Sequence, residues 1–109
     1  MIKFVLMIIL LYSVNVNAEI VDSRYCGEPK RTVSGKIKRD SKIIREFKKL
    51  YPIPSELSHI EWEIDHIIPL DRGGCHNVMN LQYLPKEIKS STNPLAKDRW
   101  ERKLYPKNY

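Results

Sequence analysis

The residues with chemistry to offer lie close together: Asp65 and His66 sit in the apolar run Trp62 to Leu70, Gly73-Gly74 follows, and Asn80 opens the short segment that continues to Leu84. An unperturbed imidazole titrates at about 6.5, near enough to neutrality to take a proton from water. A carboxylate beside it is a hard oxygen ligand suited to a divalent cation. An Asn side chain carries both a donor and an acceptor, enough to pin a loop. An acid for a metal, an imidazole for a water and an amide to hold the corner are about the smallest set that can hydrolyse a phosphodiester.

The surrounding elements must position that set. Residues 60–68 have strand composition, and Pro69, with no amide hydrogen, ends regular pairing. In a regular strand Asp65 and His66 emerge on opposite faces, so a joint role requires the chain to bend at His66. Gly73-Gly74 supplies the turn, residues 81–84 a second strand, and Pro85 the first position of a helix. Asn93-Pro94 reads as a further helix start, after which Ala96, Trp100 and Leu104 recur every four residues as a packing side. Asp98, Arg99, Arg102 and Lys103 then face outward. Upstream, Ile43, Ile44, Phe47 and Leu50 recur at helical spacing between a capping Asp40 and a terminating Pro52. Residues 19–35 show no sustained period and read as an irregular arm. Trp62 and Trp100 are expected in the core, and His76, alone in a turn, at the surface.

The chain of 109 residues opens with one early charge, Lys3, an apolar stretch from Phe4 to Leu11, a polar stretch and Val16-Asn-Ala18. This is the pattern of a secretory signal peptide, residues 1–18, cut after Ala18. Its apolar part is too short for a bilayer span of about 20 residues, so no membrane association is expected once the leader is removed. Residues 19–109 make one small domain, of a size that benefits from a covalent or metal staple. Export to an oxidising compartment, secreted or periplasmic, makes a Cys26–Cys75 disulfide the expected staple. Closing a loop of about 50 residues stabilises by roughly 2 to 4 kcal/mol. The formal net charge is +6, and loss of Lys3 lowers it by one. Basicity allows a polyanionic partner, nucleic acid or an anionic surface, without choosing between them.

Asp65-His66-Ile-Ile-Pro-Leu70, Gly73-Gly74 and Asn80-Leu-Gln82 resemble the HNH endonuclease family, over a motif core of about residues 60–104. The tail Ala96-Lys-Asp-Arg-Trp-Glu-Arg102 is similar to the ending of small secreted members. The resemblance implies an α+β chain with a ββα-metal core, here with an N-terminal amphipathic helix and a C-terminal helix. It implies a metal-dependent endonuclease acting on DNA, or on RNA, and leaving 5′-phosphate and 3′-hydroxyl ends. By that resemblance Asp65 binds the metal, His66 is the general base and Asn80 orients the loop. The expected ion is Mg2+ or Mn2+, with Zn2+ or Ni2+ also compatible. The pattern departs at its third position, nine residues after Asn80, where Lys89 stands. A protonated lysine cannot ligate a cation, which leaves Asp98, favoured for its charge, with Asn93 as the alternative. Lys89 itself either contacts the scissile phosphate or faces solvent. Glu63, two residues before Asp65, is a candidate acceptor behind the metal ligands.

Two other classes stay open on sequence: a nucleic-acid-binding module without catalysis, which the missing third ligand keeps in play, and a disulfide-stapled secreted domain that binds another partner. A monomer is expected, and a separate immunity protein is compatible with the nuclease reading. Nothing in the sequence chooses strandedness or base preference, because no base-reading element accompanies the site.

Overall fold

The computed structural model describes residues 22–107 and 109; the expected signal peptide and its cleavage site lie outside the described residues. The chain folds as a small mixed α and β domain. Helix α1 is Ser41–Leu50, strand β1 Trp62–His66, strand β2 Leu81–Pro85, helix α2 Lys86–Lys89 and helix α3 Lys97–Leu104. Single 3-10 turns occupy Ser55–Leu57, Leu70–Arg72 and Val78–Asn80.

Helix α1 starts where a short polar side chain can satisfy a free amide: Asp40 is extended and its carboxylate accepts from Lys42 N at 2.9 Å. It buries Phe47, whose ring lies 4.9 Å from Tyr83 and 5.4 Å from Tyr51, centroid to centroid. That contact seats the helix on the sheet. The sheet is the antiparallel pair β1–β2, in the register Trp62↔Pro85, Ile64↔Tyr83, Asp65↔Gln82 and His66↔Leu81. Ile68, Leu70, Leu81, Cys75 and Ala96 complete a thin apolar centre. Among the described residues no helix is long and apolar enough to cross a membrane.

So small a core needs help from the covalent bond, and Cys26–Cys75 supplies it, closing a sequence separation of 49. Backbone bonds reinforce it: Cys26 N and Gly27 N donate to Gly73 O, and Cys75 N donates to Arg24 O. The N-terminal arm is thereby tied across the glycine turn. Gly73 sits at φ 97°, a left-handed conformation that glycine adopts without penalty. Gly74 is needed for a different reason. A Cβ there would fall on the Ile68 carbonyl and press on the Asn80 amide.

The C-terminal helix departs from its sequence pattern. Asn93 does not cap it: the Asn93 carboxamide accepts from Leu95 N within a separate turn, and α3 begins at Lys97 after an Ala96 cap. The apolar repeat is not its packing side either. Ala96 is buried, but Trp100 is 38 % exposed and Leu104 57 % exposed, while Lys97 and Glu101 are the buried members of the helix. Lys97 lies one position after Ala96 and four before Glu101, so a rotation of the helix by one residue exchanges the apolar stripe for a charged one.

Candidate active site

A cleft of about 250 Å³ opens beside the end of β1, lined by Asp65, His66, Arg39, Lys89, Asp98 and Glu101 among others. The two adjacent residues at the strand end serve different walls. Asp65 is turned toward α3 and almost fully buried, His66 is half-buried, and both reach the cleft because β1 stops at His66.

On the acidic wall, Asp65 Oδ2 accepts from Gln82 Nε2 at 2.8 Å, its direct cross-strand neighbour. Lys97 Nζ lies 3.0 Å from Asp65 Oδ2 and 2.6 Å from Glu101 Oε2, and it also donates to His66 O at 3.0 Å. All three of its donor hydrogens are therefore used, as a buried ammonium requires. Asp98 comes from the next position on α3, and one oxygen from each of Asp65, Asp98 and Glu101 falls within 4.8 Å of the others. Lys89 stands in front, 3.7 Å from Asp98 and 3.8 Å from Glu63. Glu63 also accepts from Ser90 Oγ, so it serves α2 and the following turn, not Asp65 directly.

On the opposite wall His66 Nε2 is 2.9 Å from His76 Nδ1, and His76 Nε2 is 2.8 Å from the Asp40 carbonyl at the head of α1. Burial first, then the His76 ring and the Arg39 guanidinium, push the His66 imidazole down from 6.5 to about 4; Asp65 pulls the other way and Lys89 adds to the depression. At neutral pH the ring is uncharged, with a lone pair to offer.

Behind both walls, Asn80 is fully buried, and both of its amide hydrogens and its carbonyl oxygen are engaged. Its Oδ1 accepts from Ile68 N at 2.9 Å, and its Nδ2 donates to Ile68 O at 2.9 Å and Cys75 O at 2.8 Å. The main-chain carbonyl of Asn80 accepts from Ile67 N. One side chain thus joins the exit of β1 to the loop that carries Cys75 and His76.

Asp65, His66 and Asp98 line one cleft, Asn80 lies behind it, and Asn93 is exposed and engaged in its own turn. Sequence reasoning missed Lys97, Glu101 and His76. For Lys97 and Glu101 the spacing was visible, but an i,i+4 ion pair reads as a surface feature unless the helix is known to lie against a buried carboxylate. For His76 no local signal existed. Its partners, His66 and Asp40, are 10 and 36 residues away. A scan against protein-family models and searches of curated proteins and of solved structures matched nothing.

Proposed function

We propose that this chain is a secreted, metal-dependent endonuclease of the HNH type, hydrolysing phosphodiester bonds of DNA, or of RNA, with a ββα-metal site formed by β1, β2 and the helices that follow. One observation carries the reading: an uncharged imidazole and a cluster of three carboxylates line one cleft together with Arg39 and Lys89. Bases for water, oxygens for a cation and positive charges for a phosphate are the parts phosphodiester hydrolysis uses. The Cys26–Cys75 bond is compatible with an oxidising compartment.

The donor set fits a hard divalent ion. Asp65, Asp98 and Glu101 offer only carboxylate oxygens, with the Lys97 ammonium between Asp65 and Glu101 and Lys89 3.7 Å from Asp98. Bound there, Mg2+ or Mn2+ would supply charge neutralisation at the scissile phosphate and the departing oxygen. The chain's own residues do the rest. His66 takes a proton from the attacking water; the phosphate's negative charge, once bound, strengthens a base that burial has weakened. Arg39 and Lys89 hold the phosphate oxygens. Asn80 keeps the His66 corner in place through the Ile68 and Cys75 backbone.

The test is direct: purified, disulfide-intact protein is incubated with supercoiled plasmid and with RNA in Mg2+, Mn2+, Zn2+ or Ni2+. Cleavage that disappears with a chelator is expected, and substrates left whole under every metal condition would end the enzyme reading. A second reading has one observation in its favour. Lys97 already bridges Asp65 and Glu101, as a cation would, so the same cleft suits a module that grips nucleic acid without cutting it. Binding of labelled DNA with no cleavage would select it.

A further inference from the structure

We propose that His76 is a positioning residue that fixes the tautomer of His66, holding hydrogen on Nε2 and leaving Nδ1 as the proton-accepting atom of the cleft. The inference deepens the nuclease reading and depends on it for its catalytic meaning, though not for the tautomer itself.

The Asp40 carbonyl can only accept a hydrogen bond. His76 Nε2, 2.8 Å away, must therefore carry hydrogen. A neutral imidazole bears one ring hydrogen, so His76 Nδ1 is bare and can only accept. His66 Nε2, 2.9 Å from it, must then be the donor. With its single hydrogen on Nε2, neutral His66 has a free lone pair on Nδ1, and that atom has no hydrogen-bond partner among the described residues. The direction of the whole chain is set by one main-chain oxygen.

That oxygen is well placed to hold a fixed position. Asp40 caps α1 through its side chain, and its carbonyl also accepts from Ile43 N in the first turn. At the other end, the residue before His76, Cys75, is bonded to Cys26, and Asn80 Nδ2 donates to the Cys75 carbonyl. Both ends of the His76 link are therefore anchored in structure that does not depend on a ligand. Arg39, Lys89 and Asp65 are the charged groups around the pair, and these hydrogen positions are those of the neutral form of both rings.

Substitution separates positioning from packing. Asn places an amide oxygen near where His76 has Nδ1, so His76→Asn preserves an acceptor for His66, whereas His76→Ala provides none. Nitrogen-15 NMR of the imidazoles in the wild-type protein, without metal or nucleic acid, is expected to show His66 with hydrogen on Nε2. In His76→Ala the signal should move toward a mixture of tautomers, with kcat for nucleic-acid cleavage falling about 10- to 100-fold and KM little changed. His76→Asn should recover the wild-type tautomer and most of kcat. His66 found with hydrogen on Nδ1 in the wild type overturns the proposal, with no variant needed. So does a kcat that His76→Ala leaves intact. A wild-type protein with the expected tautomer but no cleavage under any metal condition instead removes the nuclease reading and leaves the deduced hydrogen positions standing.

Discussion

The two walls of the cleft grow from adjacent residues, yet they are built on opposite physical plans. The His66 wall is a relay of ring hydrogen bonds running from β1 through His76 to the main chain of Asp40. The Asp65 wall is a packed set of full charges, with Lys97 between two carboxylates that are themselves nearly inaccessible to water. Neutral hydrogen bonds contribute little net stability but define which atom is free. Buried charges define little by themselves, and removing one leaves its partner stranded at high cost. The histidine side should therefore fail in function while the fold survives, and the carboxylate side should fail in folding.

His66→Ala is the largest expected effect and tests the first half of that contrast. If the ring is the proton acceptor, the cleavage rate falls at least about 100-fold, within the usual range for a general base. Circular dichroism and the unfolding midpoint should stay near wild type, because the ring is only half-buried and its loss leaves His76 free to turn to solvent. A variant that cleaves as well as wild type would detach the histidine wall from the chemistry.

Lys97→Met tests the other half. The methionine fills a similar volume but strands Asp65 and Glu101 without their cation, and breaking a buried pair typically costs about 3 to 5 kcal/mol. Urea unfolding without metal is the measurement. If the carboxylates also bind a divalent ion, millimolar Mg2+ or Mn2+ should raise the midpoint of Lys97→Met more than that of wild type, because the ion no longer competes with an ammonium. Equal stability of the two proteins would show that the walls do not differ in the way their geometry implies.

Opening the Cys26–Cys75 bond has a smaller expected effect. The loss expected from chain entropy is about 2 to 4 kcal/mol, and the damage is one-sided. The bridge holds the loop that carries His76, whereas Asp65, Asp98 and Glu101 lie on β1 and α3. Under a reductant shown by thiol titration to have opened the bond, cleavage should fall while metal binding, followed calorimetrically, changes little. Full activity in the opened protein would break the link between the disulfide and the histidine wall.

The same contrast explains what could be read from the sequence. Helix α1 was legible because its signals are local: Asp40 to cap, Ile43 and Phe47 at helical spacing, Pro52 beyond the end. Strand β1, the glycine turn and β2 were legible from composition and from residues that only a turn requires, and the disulfide from the count of two cysteines behind an expected leader. Asn80 stood out by its place after Gly73-Gly74, although its three backbone partners could not be counted. Helix α3 was misread because the apolar stripe of Ala96, Trp100 and Leu104 was the stronger periodic signal, while the buried stripe is charged. Hydrophobic periodicity assumes that the face turned inward is apolar, and that assumption fails where a helix packs against a buried carboxylate. His76 was passed over because its contacts, to His66 and Asp40, are long-range.

The smallest effect is also the one whose sign is easiest to mistake. In the metal-free fold the His66 imidazole is held at about 4, below its ordinary 6.5, so the unfolded chain takes up this proton first as the solution is acidified. The contribution to stability is complete above about 6.5 and is lost as pH falls toward about 4. A positively paired histidine would behave the other way, gaining stability over the same interval. With a chelator present, the stability difference between wild type and His66→Asn should shrink on acidification from pH 7 to pH 4.5, by an amount kept modest by the solvent the ring still meets. His76→Ala should reduce the slope, because the neighbouring ring is the second cause of the depression after burial. If the difference instead widens on acidification, the ring is charged in the native state, both hydrogens are in place, and neither nitrogen of His66 is free to accept a proton from water.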